Sequence, residues 1–151
     1  MSTHCRIGLI NADNSVDSIY CHNDGYPAHQ MPLLKTYYNS AKRVRELLAL
    51  GDISCLYEYI TPVLRPETHS FDDPEPNVVV AYHRDRGEPW SEVKPQHFDK
   101  STADALETEY GCFMYLYNTR NNTWLCGYWK NGEKYTLSTF ADVFKNSIEL
   151  I

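Results

Sequence analysis

The sequence predicts an α+β domain with an antiparallel or mixed sheet, a central helical segment and a C-terminal helix, on three observations. Segments that read as strands stand at both ends of the chain, a stripe of helical period lies between them, and turn-forming residues separate the strand segments by hairpin lengths. With 151 residues, 42% of them hydrophobic, the chain is long enough to bury a core of its own, and residues 1–151 are expected to form a single globular domain. We find no internal repeat and no second core.

The elements follow in order. Residues 5–10 and 16–21 flank Asn11-Ala12-Asp13-Asn14-Ser15, whose short polar side chains suit a reversing loop, so an antiparallel hairpin opens the fold. Residues 22–27 form a polar turn with Gly25 available for a positive φ. From Pro32, Leu34, Tyr37, Ala41, Val44 and Leu48 recur at helical spacing, with Pro32 suited to a first helical position and Gly51 to a stop. The stripe fits one long helix, or two with Ser40 capping the second. Residues 61–77 carry Pro62, Pro66, Pro74 and Pro76 among acidic residues and read as an excursion or flexible loop.

Residues 78–82 then give an apolar strand whose unbroken composition points to a central position in the sheet. Ser101 and Asp104 resemble a capping box opening a helix over 101–110. Residues 112–117 and 124–129 flank a polar loop, and Asn131-Gly132 leads into Lys134-Tyr135-Thr136-Leu137, an antiparallel meander. Thr139 and Asp142 then cap a closing helix through Phe140, Val143, Phe144 and Ser147.

Charge and cysteine usage narrow the function classes. Fourteen basic and twenty acidic residues give a net charge of −6, which disfavours a broad nucleic-acid surface. The longest apolar run, residues 112–117, has six residues against the roughly twenty needed to cross a bilayer, so no membrane partner is expected. Five cysteines without a CxxC pair are expected to be reduced thiols, and no cofactor is indicated. The aromatic strands offer a further surface: Tyr117, Trp124, Tyr128 and Trp129 either fill a core or form an interface with a partner or a second copy of the chain.

Two polar motifs carry whatever chemistry is present. In the first, His22, Asp24 and Tyr26 leave a strand on a compact turn, where an imidazole beside a carboxylate can exchange a proton near neutrality. In the second, His83, Arg84, Asp85, Arg86 and Glu88 place guanidinium groups able to grip phosphate or carboxylate beside acids able to orient them. Each motif also has a plain reading as a hydrogen-bonded turn or an ion-pair network. Metal is not expected, because no spacing makes Cys21, His22, Asp24, His83 and Asp85 converge, and Cys21 with His83 as base is a weaker nucleophile reading still.

Three stretches, Ile19-Tyr20-Cys21-His22-Asn23-Asp24-Gly25-Tyr26-Pro27, Leu47-Leu48-Ala49-Leu50-Gly51-Asp52-Ile53-Ser54 and Ala81-Tyr82-His83-Arg84-Asp85-Arg86-Gly87-Glu88, resemble a family of small proteins encoded by bacteriophages and other mobile elements. Where the family pattern carries an aromatic residue this chain has Asn23, so ligand stacking at that position does not carry over. The resemblance implies a phage-encoded accessory or host-interaction protein; with the acidic charge, the aromatic strands, no apolar span and no complete catalytic signature, the preferred reading is a noncatalytic protein of the host cytoplasm that binds a host protein and modifies its behaviour. Binding or hydrolysis of a small phosphorylated compound by the two motifs is the alternative, and a structural homo-oligomer is a third.

Overall fold

A computed structural model describes residues 3–99, 113–127 and 138–140. Strands β1 (Cys5–Ile10) and β2 (Val16–Cys21) form the expected hairpin in continuous register from Ile10 against Val16 to Cys5 against Cys21, with Asn14 in the left-handed region at φ 70°. Helices α1 (Pro27–Tyr37) and α2 (Ala41–Leu48) follow, so the chain breaks at Asn39-Ser40 into two helices. The Ser40 hydroxyl accepts from the Arg43 amide at 3.2 Å, satisfying a donor otherwise unpaired at a helix start.

Helix α1 begins earlier than the sequence reading placed it. Pro27 takes the first helical position, and Pro32 lies exposed inside the helix, where its missing N–H forgoes one intrahelical bond. Pro27, Gln30, Met31 and Leu34 nevertheless hold one buried face at the i, i+3, i+4, i+7 spacing.

After β3 (Ile53–Cys55) and the excursion come β4 (Val80–Ala81), the short helices α3 (Tyr82–Arg86) and α4 (Trp90–Val93), and β5 (Gln96–Phe98). Strands β6 (Phe113–Asn118), β7 (Thr123–Gly127) and β8 (Ser138–Thr139) complete the described elements. The sheet order is β4-β3-β2-β1-β6-β7-β8, with β5 also pairing β2, and it is mixed: β1 runs parallel to β6 and β2 to β3, while the other pairs are antiparallel. The fold is α+β. Thr139 lies in β8, and the expected helices over 101–110 and beyond Phe140 fall outside the described residues, as does the Asn131-Gly132 turn.

One strand is misplaced by the sequence reading. The apolar run at residues 78–81 is buried throughout, yet β4 pairs β3 alone and stands at the sheet edge. Unbroken hydrophobicity reports burial on both faces, and burial does not require a strand on both sides.

Alternation along the strands divides the interior in two. Ile7, Leu9, Ile19, Tyr115 and Tyr117 face a main core closed by Met31, Leu34, Tyr38, Val44 and Leu47 from α1 and α2. Ile10, Val16, Met114 and Leu116 join Phe98 and Leu125 in a second cluster. Among these elements Arg6, buried, donates to the Ser18 hydroxyl at 2.9 Å and to its carbonyl at 3.2 Å.

Candidate functional site

The first polar turn grows out of β2. His22 and Asn23 continue the parallel pairing by donating their amides to the Ile53 and Ser54 carbonyls at 3.1 and 2.9 Å. Cys21 points into the core, and His22 lies on the other face with Tyr20, whose hydroxyl shares a 3.0 Å hydrogen bond with His22 Nδ1. His4 Nδ1 donates to the His22 carbonyl at 2.7 Å, gathering three rings. The positive φ falls on Asp24, at 53°, rather than on Gly25. Gly25 is required for another reason, since a Cβ there would stand 2.6 Å from the His4 carbonyl carbon. The turn is fastened by Gln30 Nε2 on the Asp24 carbonyl at 3.0 Å and the Tyr115 hydroxyl on the Gly25 carbonyl at 2.7 Å. Tyr26 precedes α1, 37% exposed, edge-on to His29.

The second motif is helix α3, ended by Gly87 in the left-handed conformation at φ 77°. His83 Nδ1 donates to the Glu88 carbonyl at 2.7 Å. Arg84, its side chain 28% exposed, is bonded throughout to the protein: it donates to both Asp85 oxygens at 2.8 and 3.0 Å, to the Ile60 carbonyl at 2.5 Å and to the Val79 carbonyl at 2.7 Å. Asp85, its side chain 2% exposed, also accepts from the Ala81 amide at 2.7 Å and from His69 Nε2 at 3.2 Å. Burial acts to raise the Asp85 carboxyl, but these bonds, led by Arg84, hold it below the usual aspartate range. His69 beside Asp85 resembles a catalytic pair, yet its Nδ1 already accepts from the Glu75 amide at 2.9 Å, leaving no lone pair to act as a base. Arg86 lies over the Phe71 and Tyr82 rings at 4.3 and 4.9 Å and donates to Glu88 at 2.8 Å.

The two motifs border one strand from opposite sides. Asn23 Nδ2 donates to the Ser54 hydroxyl at 3.0 Å and lies 3.6 Å from the Cys55 sulfur. Burial raises the half-buried Cys55 thiol, bonds from Ser54 and Asn23 work against it, and the Asp24 charge adds to the rise. On the β4 side, burial raises the Tyr82 phenol against a hydrogen bond from Ser54 and the charge of Arg86. The motifs thus reach Ser54 of β3 from the β2 side through Asn23 and from the β4 side through Tyr82. None of the four described cavities is lined by His22, Asp24, Tyr26 or residues 83–88.

What the second motif does is hold the excursion. Phe71 donates its amide to the Asp85 carbonyl at 3.0 Å, and the Arg84–Asp85–His69 set leads to Glu75, buried and facing back into the loop. The Glu75 carboxylate accepts from the Val63 amide at 3.0 Å, from the Arg65 amide and from the Leu64 amide. Burial alone would raise this carboxyl; the three amides leave it below the ordinary glutamate range. Of the two readings, excursion or flexible loop, residues 61–77 form a bonded excursion, because an ionised carboxylate out of water needs donors and finds them in the loop backbone. Between Pro62 and Pro66 it presents Val63 and Leu64, 74% and 81% exposed. Tyr59 and Tyr37, 53% and 40% exposed, meet edge-on at 6.3 Å, and a cavity of about 320 Å³ lies among Tyr59, Val63, Leu64 and Glu75.

This apolar platform is the feature that sequence reasoning passed over. Its signal is legible in retrospect: an adjacent valine and leucine bracketed by prolines in a loop otherwise rich in acid. Of the four rings read as either core or interface, two take the core reading and are no interface. Tyr117 and Trp124, 1% and 6% exposed, belong to the main core, where Tyr117 donates to Asn122 Oδ1 at 3.1 Å and Trp124 Nε1 to the Tyr38 carbonyl at 2.9 Å. Tyr128 and Trp129 lie outside the described residues.

Among the described residues no group of three or more His, Cys, Asp or Glu side chains is placed to hold a metal ion, and no helix is long and apolar enough to cross a membrane. Cys5, Cys21, Cys55 and Cys126 are free thiols, and burial pushes that of Cys126 up to about 12. No family model, curated protein or solved structure matches the chain.

Proposed function

We propose that the protein is a noncatalytic accessory protein of bacteriophage or mobile-element type that binds a host protein in the host cytoplasm through the platform of Tyr37, Tyr59, Val63 and Leu64. The observation that carries this reading is the exposure of Val63 and Leu64 on a backbone fixed by the buried Glu75 carboxylate. Two adjacent apolar side chains in water gain on burial against a partner, at about 25 cal/mol per Å², and a loop already ordered loses little entropy when it docks. Arg84, Asp85 and His69 support the reading as its anchor.

Binding or hydrolysis of a small phosphorylated compound has less support, since the guanidinium of Arg84 is bonded to protein acceptors and Arg86 is held by Glu88 and two rings. A structural homo-oligomer would use the same platform, and the experiment separates the two. The double variant Val63→Ser with Leu64→Ser removes exposed apolar surface only, so its melting temperature should match the wild type. A saturable host partner captured by the wild type should be lost by the variant while both sediment as monomers. Retention of every partner by the variant would end the proposal, and wild-type dimers dissociated by the substitutions would replace it with the oligomer reading.

A further inference from the structure

A different cavity, of about 300 Å³, lies where the end of α1, the α1–α2 joint, the β6–β7 turn and the residues at β8 meet, with Lys35, Asn39, Tyr117, Asn122, Trp124 and Phe140 among its lining. Its floor is aromatic: Trp124 and Phe140 are stacked at 5.8 Å with 17° between their planes, and Tyr117 meets Trp124 edge-on at 5.3 Å. The polar atoms of the floor are already satisfied. The Tyr117 hydroxyl is shared between Asn122 Oδ1 at 3.1 Å and the Asn39 carbonyl at 3.4 Å, and Trp124 Nε1 donates to Tyr38. To a ligand these two rings offer only carbon surface.

The rim carries one charged side chain, Lys35, beside the neutral amides of Asn39 and Asn122 and the hydroxyls of Thr123 and Thr139. The Lys35 ammonium has no ion pair among the described residues, and with Oδ1 of Asn122 occupied by Tyr117, the Asn122 amide presents its N–H groups. No described lining residue is acidic, in a chain with twenty acidic side chains and a net charge of −6. An apolar floor beside a cation that has no ion pair among the described residues and an amide with N–H groups to donate is complementary to a flat apolar body carrying an anion.

We propose that this cavity binds a small planar aromatic carboxylate, its ring against Trp124 and Phe140 and its carboxylate at Lys35 and the Asn122 amide. The test uses the full chain and three isosteric probes, 2-naphthoate, 2-naphthylmethanol and 2-naphthylmethylamine, followed by the indole N–H resonance of Trp124, with Trp90 as an internal reference. Naphthoate should shift Trp124 saturably and bind about tenfold more tightly than the alcohol, the size expected of one partly exposed charge pair with a hydrogen bond, and the amine should bind weakest. Lys35→Gln should erase most of the preference of naphthoate over the alcohol. Asn122→Asp keeps the acceptor for Tyr117 and tolerates the left-handed φ of 54°, yet sets a carboxylate against the ligand, and should abolish naphthoate binding. Equal affinity for the three probes, tighter binding of the amine, or no saturable shift at millimolar naphthoate overturns the proposal, as does unchanged binding by either variant.

Discussion

Asp85 accepts hydrogen bonds from Arg84, His69 and the Ala81 amide, so its removal leaves the buried His69 ring, the buried Ala81 amide and the partly exposed Arg84 guanidinium without their acceptor. We expect Asp85→Ala to cost about 3 kcal/mol of unfolding free energy, measured by denaturant titration, with proteolysis beginning within residues 61–77. The pH dependence has a definite sign. Because the folded carboxyl lies below its ordinary 3.8, the unfolded chain binds more protons in the window beneath that value, so the group's stabilisation is full above it and is lost as pH falls through the folded pKa. Asp85→Asn should flatten the acid limb of melting temperature against pH below about 4. The sequence reading of residues 83–88 anticipated an ion-pair network as one option. It could not name His69 and Glu75 as the other members, because the His69 ring meets Asp85, and the Glu75 amide meets that ring, only once the loop is folded.

At the scale of elements, the break between α1 and α2 rests on Ser40, and Ser40→Ala should cost about 1 kcal/mol, read from the denaturant midpoint at unchanged slope. Strand β5 is tied to β2 by backbone pairing and by His97, whose Nδ1 lies 2.6 Å from Asp17 and Nε2 2.8 Å from Asp99. The bonds to Asp17 and then Asp99 raise the imidazole above its ordinary 6.5. A raised folded pKa stabilises fully below the unfolded value and loses that contribution as pH rises through the folded one. Amide exchange at β5, corrected for intrinsic rate, should therefore accelerate as pH climbs above about 6.5, and His97→Gln should remove the pH dependence. The β1–β2 hairpin and the β6–β7 pair were legible, and the Ser40 cap was one of two readings, since each is written in neighbouring residues. The β5 strand, formed by residues that read as unremarkable, depends on an edge of β2 distant in sequence.

On the whole molecule, apolar side chains close two interiors on the sheet, yet Val63 and Leu64 stay outside. Their placement sets the functional expectation: serine at both positions leaves stability within about 0.5 kcal/mol while removing partner binding. Five of the carboxylates fall within residues 57–77 beside a single arginine, so a partner seated on the platform should also carry positive charge and bind more weakly as salt is raised. Titration at two ionic strengths checks this directly.

By itself the sequence determined the fold class, the opening hairpin and the place of two polar motifs, and offered Ser40 as a cap without deciding between one helix and two, because strand period, capping and turn preference act over a few residues. Only the tertiary structure decided that β4 stands at an edge, that Arg84 is taken up by protein acceptors, and that Tyr117 and Trp124 are core while a proline-bracketed valine and leucine are surface. Burial and hydrogen-bond satisfaction are properties of groups assembled from distant positions. A buried carboxylate takes whichever donors the fold brings to it, and at Glu75 those donors fix the loop that carries the surface.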